Sequence, residues 1–140
     1  MKKLLFTLCC ASSLLLLAGG CASTYDKGAY APQNTTGSSQ ETNAKFVLLD
    51  PGTQYSVTCA SLQEGKTPDG RLQVKADVRN RENRRLEVQI NCVFKDGQGF
   101  TVDETPFESL ILTENEIRGV EFTAMNDRAK SYTIRVRQAR

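Results

Sequence analysis

The 140-residue chain has no histidine, no tryptophan and only four prolines. Without histidine it cannot form a Ser-His or Cys-His catalytic pair, use an imidazole metal ligand or switch on imidazole protonation. Neither sign of charge dominates, with 18 basic against 16 acidic side chains. The only long apolar run, Leu4 to Ala18, has fifteen residues. At 1.5 Å per residue that falls short of the roughly 30 Å hydrocarbon core of a bilayer. Phosphate-binding loops, dinucleotide fingerprints and nucleophile elbows are all missing, and no S-x-x-K lies beyond the first twenty residues. No cofactor is implied, and an enzyme is not expected. What remains is 39% hydrophobic and 24% charged, the composition of one soluble globular domain.

The apolar run follows Met1-Lys2-Lys3 and reads as the core of a signal peptide. After it comes Leu17-Ala18-Gly19-Gly20-Cys21. Small residues ahead of a cysteine resemble the lipobox of bacterial lipoproteins. In those proteins the thiol takes a diacylglycerol, the chain is cut before the cysteine, and the new amino terminus is usually acylated. The resemblance makes residues 1–20 a removed signal peptide and Cys21 the lipidation site. Ala18 stands where leucine is commoner. Several acyl chains hold a protein at a membrane more firmly than one. Ala22, in place of the aspartate that resembles an inner-membrane retention signal, favours the outer membrane, with the domain facing the periplasm. Removal of residues 1–20 takes two lysines and no acid, leaving 16 bases against 16 acids. A neutral mature chain gives no charge-driven affinity for nucleic acid.

Residues 22–44 are polar and almost without aliphatic side chains, so residues 21–44 are expected to be a lipidated cysteine with a flexible linker. A random coil of its 23 tether residues averages about 27 Å end to end. From Lys45 onward a period of two takes over. Leu72, Val74, Ala76 and Val78 alternate with polar neighbours. Leu86, Val88, Ile90, Cys92 and Phe94 do so against Glu87, Gln89, Asn91, Val93 and Lys95, and Tyr132, Ile134 and Val136 repeat the pattern. Weaker strands are expected at 46–49, 55–62, 100–102, 109–112 and 119–125, and no stretch shows a sustained helical face. About seven short strands in residues 45–140 predict an all-β fold, an immunoglobulin-like antiparallel β-sandwich, with a small β-barrel as the alternative.

Two cysteines remain in the mature domain. Cys59 shares strand parity with Tyr55 and Val57, and Cys92 with Ile90 and Phe94. Both thiols are therefore expected in the core, and in an oxidising compartment a Cys59–Cys92 disulfide is expected. Closing that 34-residue loop stabilises by about 3.5–4 kcal/mol in the chain-entropy model. Two buried free thiols are the next reading. Two cysteines without histidine are too few for a metal site.

Arg79, Arg81, Arg84 and Arg85 crowd the link between the two strongest strands. They make either a binding cluster for a phosphate, an acidic glycan or an acidic partner, or a solvated hairpin tip beside Glu82 and Glu87. A second basic group (Arg128, Lys130, Arg135, Arg137, Arg140) is spread by strand alternation and set against Asp103, Glu104, Glu108, Glu114 and Glu116. That opposition fits internal salt bridges or head-to-tail protein contacts.

The runs Gly70-Arg71-Leu72-Gln73-Val74, Val78-Arg79-Asn80-Arg81 and Leu86-Glu87-Val88-Gln89, then Phe94-Lys95-Asp96 and Gly99, resemble the YcfL family of small Gram-negative envelope lipoproteins. Phe107, Leu110-Ile111-Leu112, Phe122-Thr123-Ala124 and Ile134-Arg135-Val136-Arg137 continue the likeness over residues 45–140. The resemblance implies a periplasmic β-sandwich without an assigned activity. In some members the gene lies beside one for a lipoprotein activator of a peptidoglycan synthase, which points toward the cell wall. The expected function is a non-catalytic protein-binding or scaffold module of the envelope, with an envelope protein as partner. The alternative is a glycan- or peptidoglycan-binding lipoprotein that uses the arginine-rich link.

Overall fold

The strongest alternating stretches become the longest strands. The computed structural model describes residues 45–139. In chain order these form β1 (Phe46–Leu48), α1 (Pro51–Ser56), β2 (Val57–Lys66), β3 (Leu72–Asn80), β4 (Leu86–Lys95), β5 (Thr101–Glu104), β6 (Glu108–Leu112), β7 (Ile117–Thr123) and β8 (Ser131–Gln138). One sheet has the order β2-β3-β7. The other has the order β1-β8-β4-β5, with β6 also paired to β4. Both sheets keep free edges, so the β-sandwich is formed and the barrel alternative is not.

The core lies between the sheets. Val57, Cys59, Val74 and Val78 face Leu48, Val88, Cys92, Phe94, Ile134 and Val136, all 2% exposed or less. In β3 every inward position is buried, as the alternation predicts. A tight turn closes the β2–β3 hairpin. Gly70 takes φ +84, and its N–H donates to Thr67 O at 2.9 Å. Glycine adopts that positive φ without the steric cost a Cβ would add.

Four expectations change. The link carrying the arginines is not a hairpin, because β3 and β4 belong to different sheets and residues 81–85 arch between them. β1 lies parallel to β8, with Phe46 opposite Ile134, so the sandwich is not wholly antiparallel. The strand expected from Tyr55 begins at Val57. Tyr55 belongs to α1 and is 71% exposed, so it does not share the face of Cys59. Pro51 at the first helical position and Asp50 at the N-cap favour a helical turn too short to show a period. Finally, β4 is buried on both faces from Ile90 to Lys95, although Asn91, Val93 and Lys95 were expected to be wet. As the central strand, β4 has neighbours on both sides, and Lys95 Nζ donates to Thr133 Oγ1 at 2.8 Å.

β5 and β6 line the same side of β4 and make one interrupted edge strand. Val93 pairs with Glu104 and Ile90 with Glu108, so Thr105, Pro106 and Phe107 stand against only Asn91 and Cys92. Proline has no N–H for the ladder, and the extra residue is accommodated as a bulge. Thr105 takes over the local pairing. Its N–H donates to Cys92 O at 2.9 Å, and its Oγ1 accepts from Cys92 N at 2.9 Å.

Candidate functional site

Three constellations carry the side chains of functional interest. The first is the arginine arch at one end of the sandwich, and its organiser is Asn80. This residue ends β3 on the inward parity and is fully buried. Its Nδ2 donates to Arg84 O at 2.7 Å and to Thr113 O at 2.8 Å. Its Oδ1 accepts from Glu82 N at 2.9 Å. Arg81 N also donates to Ser56 O at 2.8 Å, which ties the arch to α1.

The four arginines do not converge. Arg79 stands on the outer face of β3 between Thr58 and Ile117. Arg81 is half-buried, and Arg84 and Arg85 are exposed. Arg84 is paired with Glu82, which also accepts a hydrogen bond from Ser56 Oγ. The Arg84 hydrogen bond, followed by that of Ser56, holds the Glu82 carboxyl below the usual carboxylate range. An acid is thus built into the middle of the basic cluster.

The second constellation is the pair of thiols. Both point into the core as strand parity requires, yet the expected disulfide is not formed, and Cys59 and Cys92 are free and buried. Parity sets the face of a residue, not its height in the sandwich. Cys59 is level with Val78, two residues before the arch end of β3. Cys92 lies six residues beyond Leu86, the arch end of β4. At about 3.3 Å per residue the two are offset by roughly 13 Å, beyond the reach of a disulfide. Burial pushes both thiols up to about 12. Thiols held protonated in this way are poor nucleophiles.

The third constellation lies on the outer face of the five-stranded sheet. Arg135 donates from Nε to Asn91 Oδ1 at 3.1 Å and pairs with Glu104. Asn91, fully buried, also donates to Glu104 Oε1 at 3.0 Å and to Thr105 O at 3.1 Å. The Arg137 guanidinium carbon stacks 3.8 Å from the centre of the Phe107 ring, and its Nε donates to Gln89 Oε1 at 2.8 Å. The Arg135 guanidinium carbon is 5.4 Å from the same ring. So Arg135 and Glu104, two members of the opposed charge groups, do meet, whereas Arg137 takes an aromatic neighbour instead. Sequence reasoning missed this stack. The bulge at Pro106 places Phe107 here, and its only sequence signal is a proline between the two weak strands expected at 100–102 and 109–112.

Beside β2 and β3 are two shallow depressions of about 140 and 300 Å³. Both are lined by Glu64, and its carboxylate is paired with Lys45. Among the described residues, no group of three or more Cys, Asp or Glu is arranged to hold a metal ion. Cys21 and the expected signal peptide and linker lie outside the described residues.

A family model described as a protein of unknown function, DUF1425, matches residues 44–138. The chain belongs to the DUF1425 family. The family match thus spans the whole described sandwich. A crystal structure of a DUF1425 family member from Shewanella sp. is similar, with 21% identity and a TM-score of 0.56, covering 66% of this chain and 87% of that one. The crystal structure of Campylobacter jejuni cj0090 is similar at 14% identity and a TM-score of 0.54, covering 68% of this chain and 98% of that one. These likenesses establish the fold of the DUF1425 domain. No curated protein matches the chain.

Proposed function

We propose that this DUF1425 protein is of the YcfL type: a non-catalytic protein-binding or scaffold module, lipidated on Cys21, anchored in the outer membrane and facing the periplasm. Its work is then close to cell-wall synthesis. The carrying observation is how the polar side chains of the domain are arranged. They pair across neighbouring strands, as in Gln73–Glu121 at 2.7 Å and Lys75–Glu121 at 3.2 Å. Neither sheet closes on itself, so outer faces and free strand edges remain, a geometry suited to contact with another macromolecule. Ile117, 55% exposed on the edge strand β7, adds an apolar point to such a surface. Glycan binding at the arginine arch is less favoured, since Glu82 already neutralises Arg84.

The test is a crosslinking pull-down of the full-length anchored protein from its own envelope, with Cys21→Ser as the control. A discrete partner that survives moderate salt and needs the anchor is the expected result. No protein above background overturns the reading. Retention on peptidoglycan that is lost when Arg79, Arg81, Arg84 and Arg85 are replaced favours the glycan alternative instead.

A further inference from the structure

From the outer face of the five-stranded sheet we infer that Arg137, stacked on Phe107, is a recognition site for a carboxylate side chain of a protein partner. The inference rests on the protein-binding reading above and names its contact point. Several cations of the domain already have an anion. Arg135 is taken by Glu104, Arg84 by Glu82, Arg118 by Glu116, Lys75 by Glu121 and Lys45 by Glu64. Arg137 has no carboxylate within ion-pair distance among the described residues. Its partners are the π-face of Phe107 at 3.8 Å and Gln89 Oε1 at 2.8 Å.

Those two contacts fix the guanidinium plane and occupy Nε, while no described residue bonds the two terminal amino groups. A planar fork held in one orientation matches a carboxylate with two parallel hydrogen bonds, and the side-chain entropy is spent before the partner arrives. Ser109 stands in the same cross-strand row, opposite Gln89, and is exposed, so its hydroxyl can extend the site. The nearby acids do not close it. Glu104 is paired, Glu108 is opposite Ile90 and so on the core side of the edge, and Glu87 lies one row further along, opposite Ile111.

The experiment is an NMR titration of the isotope-labelled, full-length mature protein in detergent. Its probes are a capped peptide with one glutamate, the same peptide with glutamine, inorganic phosphate, and soluble muropeptides. Amide shifts at Gln89, Phe107, Ser109 and Arg137 that need the glutamate are the expected result. Arg137→Lys keeps the charge but loses the fork and the stack, so it weakens binding about tenfold. Phe107→Leu weakens it too, with amide shifts in the three-stranded sheet of both variants unchanged as the check on folding.

The site fails if the glutamine peptide binds equally, if Arg137→Lys binds like the parent, or if the shifts centre on Arg84 and Arg85. Tighter binding of phosphate or of muropeptides at these residues overturns the assignment to a protein carboxylate. A pull-down partner captured equally by Arg137→Gln sinks this inference and leaves the module reading standing. Glutamate binding with no partner in the envelope does the reverse.

Discussion

Asn80 shows how one side chain turns a sequence feature into a different object. The R-N-R stretch reads as a polar turn, and its arginines draw the eye, but the asparagine between them holds the arch. It sits where the inward parity of β3 calls for an apolar residue, and it is fully buried. Burial of an amide is tolerable only when its donors and acceptor are satisfied, and here Arg84 O, Thr113 O and Glu82 N do so. Asn80→Ala strands those groups, and a loss of about 2–3 kcal/mol is expected in urea unfolding. Arg85→Ala, on an exposed side chain of the same arch, serves as the comparison and is expected to change stability by less than about 0.5 kcal/mol. Equal effects from the two variants contradict the pinning role.

The β5–β6 edge shows the same economy on a larger scale. Pro106 interrupts the ladder, and Thr105 restores it by bonding Cys92 through both its backbone and its hydroxyl. The bulge sends Phe107 over the outer face, where it meets Arg137. Thr105→Val keeps the shape and removes the hydroxyl, leaving the Cys92 N–H without an acceptor inside the sheet. A cost of about 1–3 kcal/mol follows, together with faster hydrogen exchange at Cys92 than at its neighbours on β4. Unchanged protection at Cys92 means that the hydroxyl does not carry this link. The sequence leads to two separate weak strands, at 100–102 and 109–112, with the proline in the gap, and nothing in it shows that both pair with the same side of β4.

For the whole molecule, the free thiols make a pH prediction. Cys59 and Cys92 are pushed from 9.0 up to about 12 by burial. The unfolded chain releases these protons first, so above pH 9 the folded state holds more of them. The thiols' contribution to stability is therefore complete below about pH 9 and is lost as the pH rises toward 12. Midpoints of urea unfolding for the parent and for Cys59→Ala/Cys92→Ala, measured across that range, are expected to converge as alkali removes the thiols' share. An alkylating reagent at neutral pH is expected to leave both residues untouched in the folded protein and to label both after unfolding without reductant. No labelling after unfolding would falsify the free-thiol assignment.

The strands, their facing and the two-layer class were legible in the amino-acid order, because alternation is a local property and burial of one face per strand enforces it. The inward parity of Cys59 and Cys92, the composition of the core and the opposition of charges at Arg135 and Glu104 came from the same local rule. Which strands are neighbours did not. The arch in place of a hairpin, the parallel seat of β1 beside β8 and the double burial of β4 depend on contacts between segments far apart in the chain, to which no period of two refers. So does the height of a residue in the sandwich, which separates two thiols that parity alone would join. The stack of Arg137 on Phe107 belongs with these. It needs a bulge in one edge strand and the last strand of the fold two positions away in the same sheet, a juxtaposition that only the assembled sheet produces.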